Sequence, residues 1–247
     1  MPILGLIFVV GVWAGVQNAL AGGGSFVTLP TLILSGLDAR AANIASTVAL
    51  LPGQVVMGWV GRKGATGVGP LRLHALVLIS LAGGAVGAML LLITPSSFFA
   101  KLVPWLVLFA TVLFAYGSFF RKPREQDGSS LPAWASAAIQ AGIAVYGGYF
   151  GGGIGFLMLA ALTAAGLAVR TAGATKNVLA AVMNASAVVV FLFTPHLAWG
   201  RIAALGAGCV LGGYAGANAL RFLPQTLIRV VVVGLGLVLT VGLFVRG

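Results

Sequence analysis

Apolar residues fill this chain in ten blocks separated by short polar or glycine-containing breaks. They lie at roughly 3–20, 25–37, 41–60, 71–94 and 99–119 in the first half, and at roughly 132–150, 154–168, 171–193, 198–219 and 225–245 in the second. A helix needs about 20 apolar residues to cross a ~30 Å hydrocarbon core, and most blocks approach that length. The second block of each half spans only 13 to 15 residues, which predicts a partial or re-entrant helix. A polar stretch from Arg121 to Ser130, holding Arg121, Lys122, Arg124, Glu125 and Asp127, divides the halves. The predicted organisation is a first membrane repeat over 1–120, a basic cytoplasmic linker over 121–131 and a second membrane repeat over 132–247. Ala19-Leu20-Ala21 has the look of a signal cleavage site. No basic residue precedes the first apolar block, so that block is expected to be retained.

The halves repeat each other. Gly22-Gly23-Gly24 matches Gly151-Gly152-Gly153 at an offset of 129. One inserted residue later, Gly36-Leu37-Asp38-Ala39-Arg40 matches Gly166-Leu167-Ala168-Val169-Arg170 at an offset of 130. Five crossings per half, or three crossings plus a re-entrant pair, leave the chain on the opposite side of the membrane, so the second half enters inverted. The fold class predicted is an all-α polytopic membrane protein built from two inverted-topology repeats. Arg62, Lys63, Arg72, Arg121, Lys122, Arg124, Arg170, Arg221 and Arg229 then share one side, and Arg40, Lys101, Arg201 and Arg246 the other. The basic excess puts the first group in the cytoplasm and both termini outside.

Composition narrows the class. The chain is 60% hydrophobic and only 7% charged, against roughly 25% charged in soluble domains. That excludes an ordinary soluble enzyme, a disordered chain and a nucleic-acid-binding domain. The net charge of +11 comes from basic residues between apolar blocks, where they set orientation rather than bind nucleic acid. The 37 glycines follow no collagen period and suit close helix packing in lipid. Gly208, Gly212 and Gly216 read as one such seam. The single cysteine, Cys209, permits no internal disulfide.

The glycine runs carry the chemistry. Three glycines inside an apolar block weaken a helix by about 1 kcal/mol each and let the backbone open. A helix starting just after them points its positive end at the opening, and Ser25 stands at the first such start. Paired glycine-interrupted segments in corresponding halves point to a transporter's midplane site. The helix-packing alternative for Gly22, Gly23, Gly24, Gly151, Gly152 and Gly153 carries less weight because the runs recur.

Lys176 sits inside an apolar stretch and aligns with Ser46. It either snorkels to the cytoplasmic surface or faces an anion path. At the 130-residue offset Thr47 falls on Asn177 and Gln54 on Asn184. Each pair is seven residues apart and shares one helix face, which predicts that the pairs face each other near the glycine runs. Gln17, Asn18 and Tyr149 precede the runs and are candidates for the same openings. Asp38 and Arg40 are expected to pair with each other or with lipid headgroups. No metal cluster, Ser-His-Asp set, embedded carboxylate dyad or P-loop is evident, so no cofactor is expected.

Ala21-Gly22-Gly23-Gly24 with Pro30, and Phe150-Gly151-Gly152-Gly153, resemble the duplicated motif of the TauE/SafE family of sulfite exporters. The resemblance covers essentially the whole chain. It implies an inner-membrane permease for small anions, sulfite or organosulfonates among them. Leu159 and Ala160 stand where the first half has Pro30, which leaves the substrate open. The expected partners are a small anion and the bilayer, without nucleic acid; a homo-oligomer is open. The alternatives weighed are an ion-coupled anion importer, an intramembrane enzyme using Lys176 or Cys209, and a structural membrane subunit.

Overall fold

The computed structural model describes residues 2–20, 23–116, 132–195, 197–219 and 225–246. Gly22, His196 and the linker over 121–131 lie outside the described residues. Ten α-helices follow one another: α1 Pro2–Leu20, α2 Ser25–Leu34, α3 Ala39–Gly61, α4 Leu73–Ile93, α5 Ser96–Ala115, α6 Ala133–Tyr149, α7 Ile154–Ala164, α8 Val169–Phe191, α9 Trp199–Ala219 and α10 Gln225–Arg246. No strand occurs among the described residues. Among them, α3, α4, α5 and α8 include stretches long and apolar enough to cross a membrane. Val56, Ile93, Trp134 and Val189 stand exposed on the outer faces, a placement that suits lipid and not water.

The short second helix of each half is shorter still than its apolar block. α2 has 10 residues and α7 has 11, about 15 Å each at 1.5 Å per residue. Both stop at a left-handed glycine, Gly36 (φ +94°) and Gly166 (φ +99°). Leu37 N–H then donates to Leu32 O at 3.2 Å, and Leu167 N–H to Leu162 O at 3.1 Å. This closing motif satisfies the last carbonyls and turns the chain. Leu37 and Leu167 extend the apolar pattern past the helix end.

The packing pairs the long helices across the two halves and each short helix with a neighbour in its own half. α1 lies along α9 and α6 along α4; α3 crosses α8 at the centre; α5 packs on α10; α2 rests on α3 and α7 on α8. Glycines set the closest approaches. A Cβ at Gly15 would lie 2.2 Å from the Cys209 carbonyl oxygen, and one at Gly212 1.8 Å from that of Val12. On the α4–α6 seam, a Cβ at Gly87 would lie 2.1 Å from the Val145 carbonyl oxygen. The seam expected at Gly208 and Gly212 is thus a backbone-to-backbone contact with α1.

One corner is fastened by polar groups. Asp38 caps α3 by accepting from the amides of Arg40 and Ala41, and also accepts from the Ser96 hydroxyl at the start of α5. The Arg40 guanidinium donates to the carbonyls of Leu92 (3.1 Å) and Thr94 (2.9 Å). Each residue of the Asp38/Arg40 pair is therefore spent on the neighbouring α4–α5 turn. Burial pushes the Asp38 carboxyl up, but Ser96, the two amides and the Arg40 charge outweigh it and hold the group below its ordinary value.

Candidate functional site

The two glycine runs meet at one cavity. It encloses about 460 Å³ including its open mouth, and its polar lining consists of Asn18, Ser25, Gln54, Lys176 and Asn177. Gly23, Gly151, Gly153 and Gly155 supply bare backbone to the wall, and Met57, Ile154 and Ala180 its apolar part. The local sequence explains the shape. Gly23 (φ +80°), Gly151 (φ +78°) and Gly153 (φ +75°) occupy the left-handed region that side-chain-bearing residues avoid. That backbone breaks α1 from α2 and α6 from α7. Each short helix therefore starts at the cavity without a side-chain cap from the preceding glycine.

Three positive ends converge there. α2 and α7 each bring about half an elementary charge at the N-terminus. Lys176 Nζ joins them from α8: a Cβ at Gly155, in the first turn of α7, would lie 3.8 Å from it. Asp38, the one acid among the described residues, is bound at the α4–α5 turn. Like charges gathered without a carboxylate repel one another, and an anion relieves that repulsion.

Beneath this cluster α3 and α8 carry the paired polar residues. Asn184 is 2% exposed and donates from Nδ2 to Gln54 Oε1 at 2.7 Å. Asn177, two turns nearer the start of α8, lines the cavity directly. Gly58 and Gly61 of α3 press on it: a Cβ at Gly58 would be 3.1 Å from the Asn177 carbonyl oxygen. Thr47 is different. Its hydroxyl donates to the Asn43 carbonyl of its own helix at 2.9 Å, and it reaches the site only from behind, 3.8 Å from where a Gly151 Cβ would be.

Of the candidate residues, the structure brings Gly23, Ser25, Gln54, Gly151, Gly153, Lys176 and Asn177 to the cavity wall. Gly24, Thr47, Gly152 and Asn184 stand behind it. Gly24 N–H donates to Asn18 Oδ1 at 3.1 Å, and the Gly152 carbonyl accepts from the Tyr146 hydroxyl at 2.9 Å. Sequence reasoning passed over Asn43, whose Nδ2 donates to the Tyr149 carbonyl at 3.1 Å, and Tyr146. Both act on backbone just before or within the second run. Asn43 shares the Thr47 face at a spacing of four, the one signal that could have selected it.

The comparisons agree along most of the chain. The model of the family described as "Sulfite exporter TauE/SafE" matches residues 7–243. A probable membrane transporter protein of Haemophilus influenzae is 27% identical over 244 residues, covering 97% of this chain and 94% of that protein. The probable membrane transporter protein ORF9 of a Sinorhizobium species is 28% identical, covering 87% and 82%. The probable membrane transporter protein YfcA of Escherichia coli K12 is 25% identical, covering 94% and 86%. No solved structure matches the chain significantly.

Proposed function

This chain belongs to the sulfite exporter TauE/SafE family of membrane transporters, and on that premise we propose that it exports a small anion, sulfite or an organosulfonate, through the cavity between α3 and α8. The observation that carries this reading is the convergence of Lys176 with the starts of α2 and α7 around one cavity. Gly23, Ser25 and the run Gly151–Gly153 offer backbone and hydroxyl donors, while the Gly24 N–H is held by Asn18. Lys176 supplies the charge, and Gln54 and Asn177 supply neutral amides. Thr47 backs Gly151, and Asn184 orients Gln54. Neutral donors hold an anion without binding it too tightly for release.

An inside-negative potential drives a monovalent anion outward by about 2.3 kcal/mol per 100 mV. Export then needs neither a proton-carrying carboxylate nor a cofactor, and the protein is a permease rather than an enzyme. The repeats are read as inverted, in a bacterial inner membrane with both termini outside. The packing supports two equivalent halves: exchanging α1–α5 with α6–α10 converts α1 on α9 into α6 on α4, and α2 on α3 into α7 on α8.

Reconstitution of the purified protein into liposomes tests the function. Sulfite, a two-carbon sulfonate, sulfate and chloride are offered in turn under an imposed potential. Sulfite or sulfonate flux that follows the potential without a sodium gradient is the expected result. Sodium-dependent uptake would replace the reading with a coupled importer, and no flux of any of the four anions would remove it.

A further inference from the structure

Each helix that precedes a glycine run reaches forward six residues and ties down a carbonyl in that run. Gln17 Nε2 donates to the Gly23 carbonyl at 3.1 Å, and the Tyr146 hydroxyl donates to the Gly152 carbonyl at 2.9 Å. Gln17 and Tyr146 are 129 positions apart, as are Gly23 and Gly152, which is the offset that aligns the two runs. The same tie is thus made twice by side chains of unrelated chemistry.

The halves differ at the other edge of the tied peptide. In a trans peptide the carbonyl and the following N–H point in opposite directions. In the first run the N–H of the Gly23–Gly24 peptide is occupied as well, by Asn18 Oδ1 at 3.1 Å. At the same offset Asn18 falls on Gly147, which has no side chain. A Cβ at Gly147 would lie 2.4 Å from the Met183 sulfur, so a side chain there would require Met183 to move. The second run keeps the carbonyl tie and drops the amide cap. Gly153 lines the cavity, and Lys176 comes up beside the first turn of α7. Tyr146 itself is no part of the cavity lining; its ring is held edge-on by Phe109 and Phe150, each 5.9 Å away between centroids.

We propose that Tyr146 is a positioning residue for the anion site, fixing the Gly152–Gly153 peptide so that the Gly153 amide serves the anion, and that the second glycine run with Lys176 is the tighter-binding half. This inference rests on the anion-site reading given above. It makes the two runs unequal: the first is a closed backbone support and the second is the binding edge.

The test is sulfite and two-carbon sulfonate flux in proteoliposomes, measured as KM and maximal rate for wild type, Tyr146→Phe, Gln17→Met and Lys176→Met. Tyr146→Phe deletes one oxygen and should raise KM about 2- to 10-fold, the worth of one net hydrogen bond, with the maximal rate and the amount of folded protein retained. Gln17→Met should change KM by less than about twofold, because Asn18 still holds the first peptide. A structural role for the hydroxyl would lower folded yield and maximal rate and leave KM unmoved, which overturns the proposal. If Lys176→Met raises KM and Tyr146→Phe does not, the positioning role fails and the site reading stands. If Lys176→Met leaves KM unchanged, or wild type moves neither anion, the site reading itself fails and takes this inference with it. Should Tyr146→Phe not fold, 3-fluorotyrosine at position 146 keeps the ring and strengthens the donor. KM should then fall, and an unchanged KM overturns the proposal.

Discussion

Asn184 Nδ2 donates to Gln54 Oε1 at 2.7 Å across α3 and α8, and the two residues stand 130 positions apart, the interval at which the chain repeats itself. The bond joins equivalent positions of the two halves beneath the cavity. It gives the buried Asn184 amino group an acceptor within the protein, while Asn184 Oδ1 has no partner among the described residues.

Asn184→Leu takes the donor from Gln54 Oε1, which is half-buried at the cavity wall, and should cost about 0.5–1.5 kcal/mol of stability. Gln54→Leu should cost a similar amount. The double variant should cost less than the sum, because neither partner is then stranded. Thermal melting of the detergent-solubilised protein measures all three. Strict additivity of the two single losses would show that the pair is not coupled.

Lys176→Met should lower anion flux at least tenfold while folded yield and melting temperature stay near wild type, since the methionine keeps much of the stem. Flux and melting measured on one preparation decide it. Unchanged flux would make Lys176 a snorkelling side chain and nothing more.

Gly148→Ala should prevent assembly, because the added Cβ would sit 2.1 Å from the Gly84 carbonyl oxygen and the backbones would have to separate. Gly142→Ala, on the same helix but with nothing within 4 Å of the new Cβ, should be neutral or stabilise by up to about 1 kcal/mol. Folded yield by size exclusion separates the two outcomes.

Asp38 makes the fold sensitive to acid. Its carboxyl is held below the ordinary value by Ser96, two amides and Arg40, against the opposing effect of burial. A depressed folded-state value stabilises fully above the unfolded value of about 3.9. That contribution fades as pH falls from there through the folded value. Melting scans should show this component in wild type and lose it in Asp38→Asn. A wild-type-like acid profile in Asp38→Asn would assign the sensitivity to another group.

Both termini should react with a membrane-impermeant label on intact cells. Protection of one terminus alone breaks the parity on which the inverted reading depends, and protection of both reverses the orientation.

Much of this architecture is written in the hydrophobic pattern, because a helix in lipid must be apolar over a fixed length. All ten blocks became helices, to within a few residues at most ends. Leu37 and Leu167 are where that signal misleads. They are apolar yet lie beyond a left-handed glycine, so the block outlasts the helix. The Gln54–Asn184 contact was legible because both members are polar, set in apolar helices and one repeat apart. The supports of the glycine runs were not. Gln17 and Tyr146 share a task but no chemistry, and Asn43 falls on Gly173 at the repeat offset, so comparing the halves residue by residue does not find them.

The glycine seams of α1 with α9 and of α4 with α6 have a mechanical consequence. Backbones that close leave no side chains between them to slide, so each pair behaves as a single stiff beam. Every beam is made of one helix from each half of the chain. α3 braces the α1–α9 beam and α8 the α4–α6 beam, while the cavity lies between α3 and α8. A rocking motion that exposes the cavity to one face and then the other has to move these mixed bodies past each other. The unit that swings is woven from both halves of the chain, and no single cut in the linear sequence would separate it into those bodies.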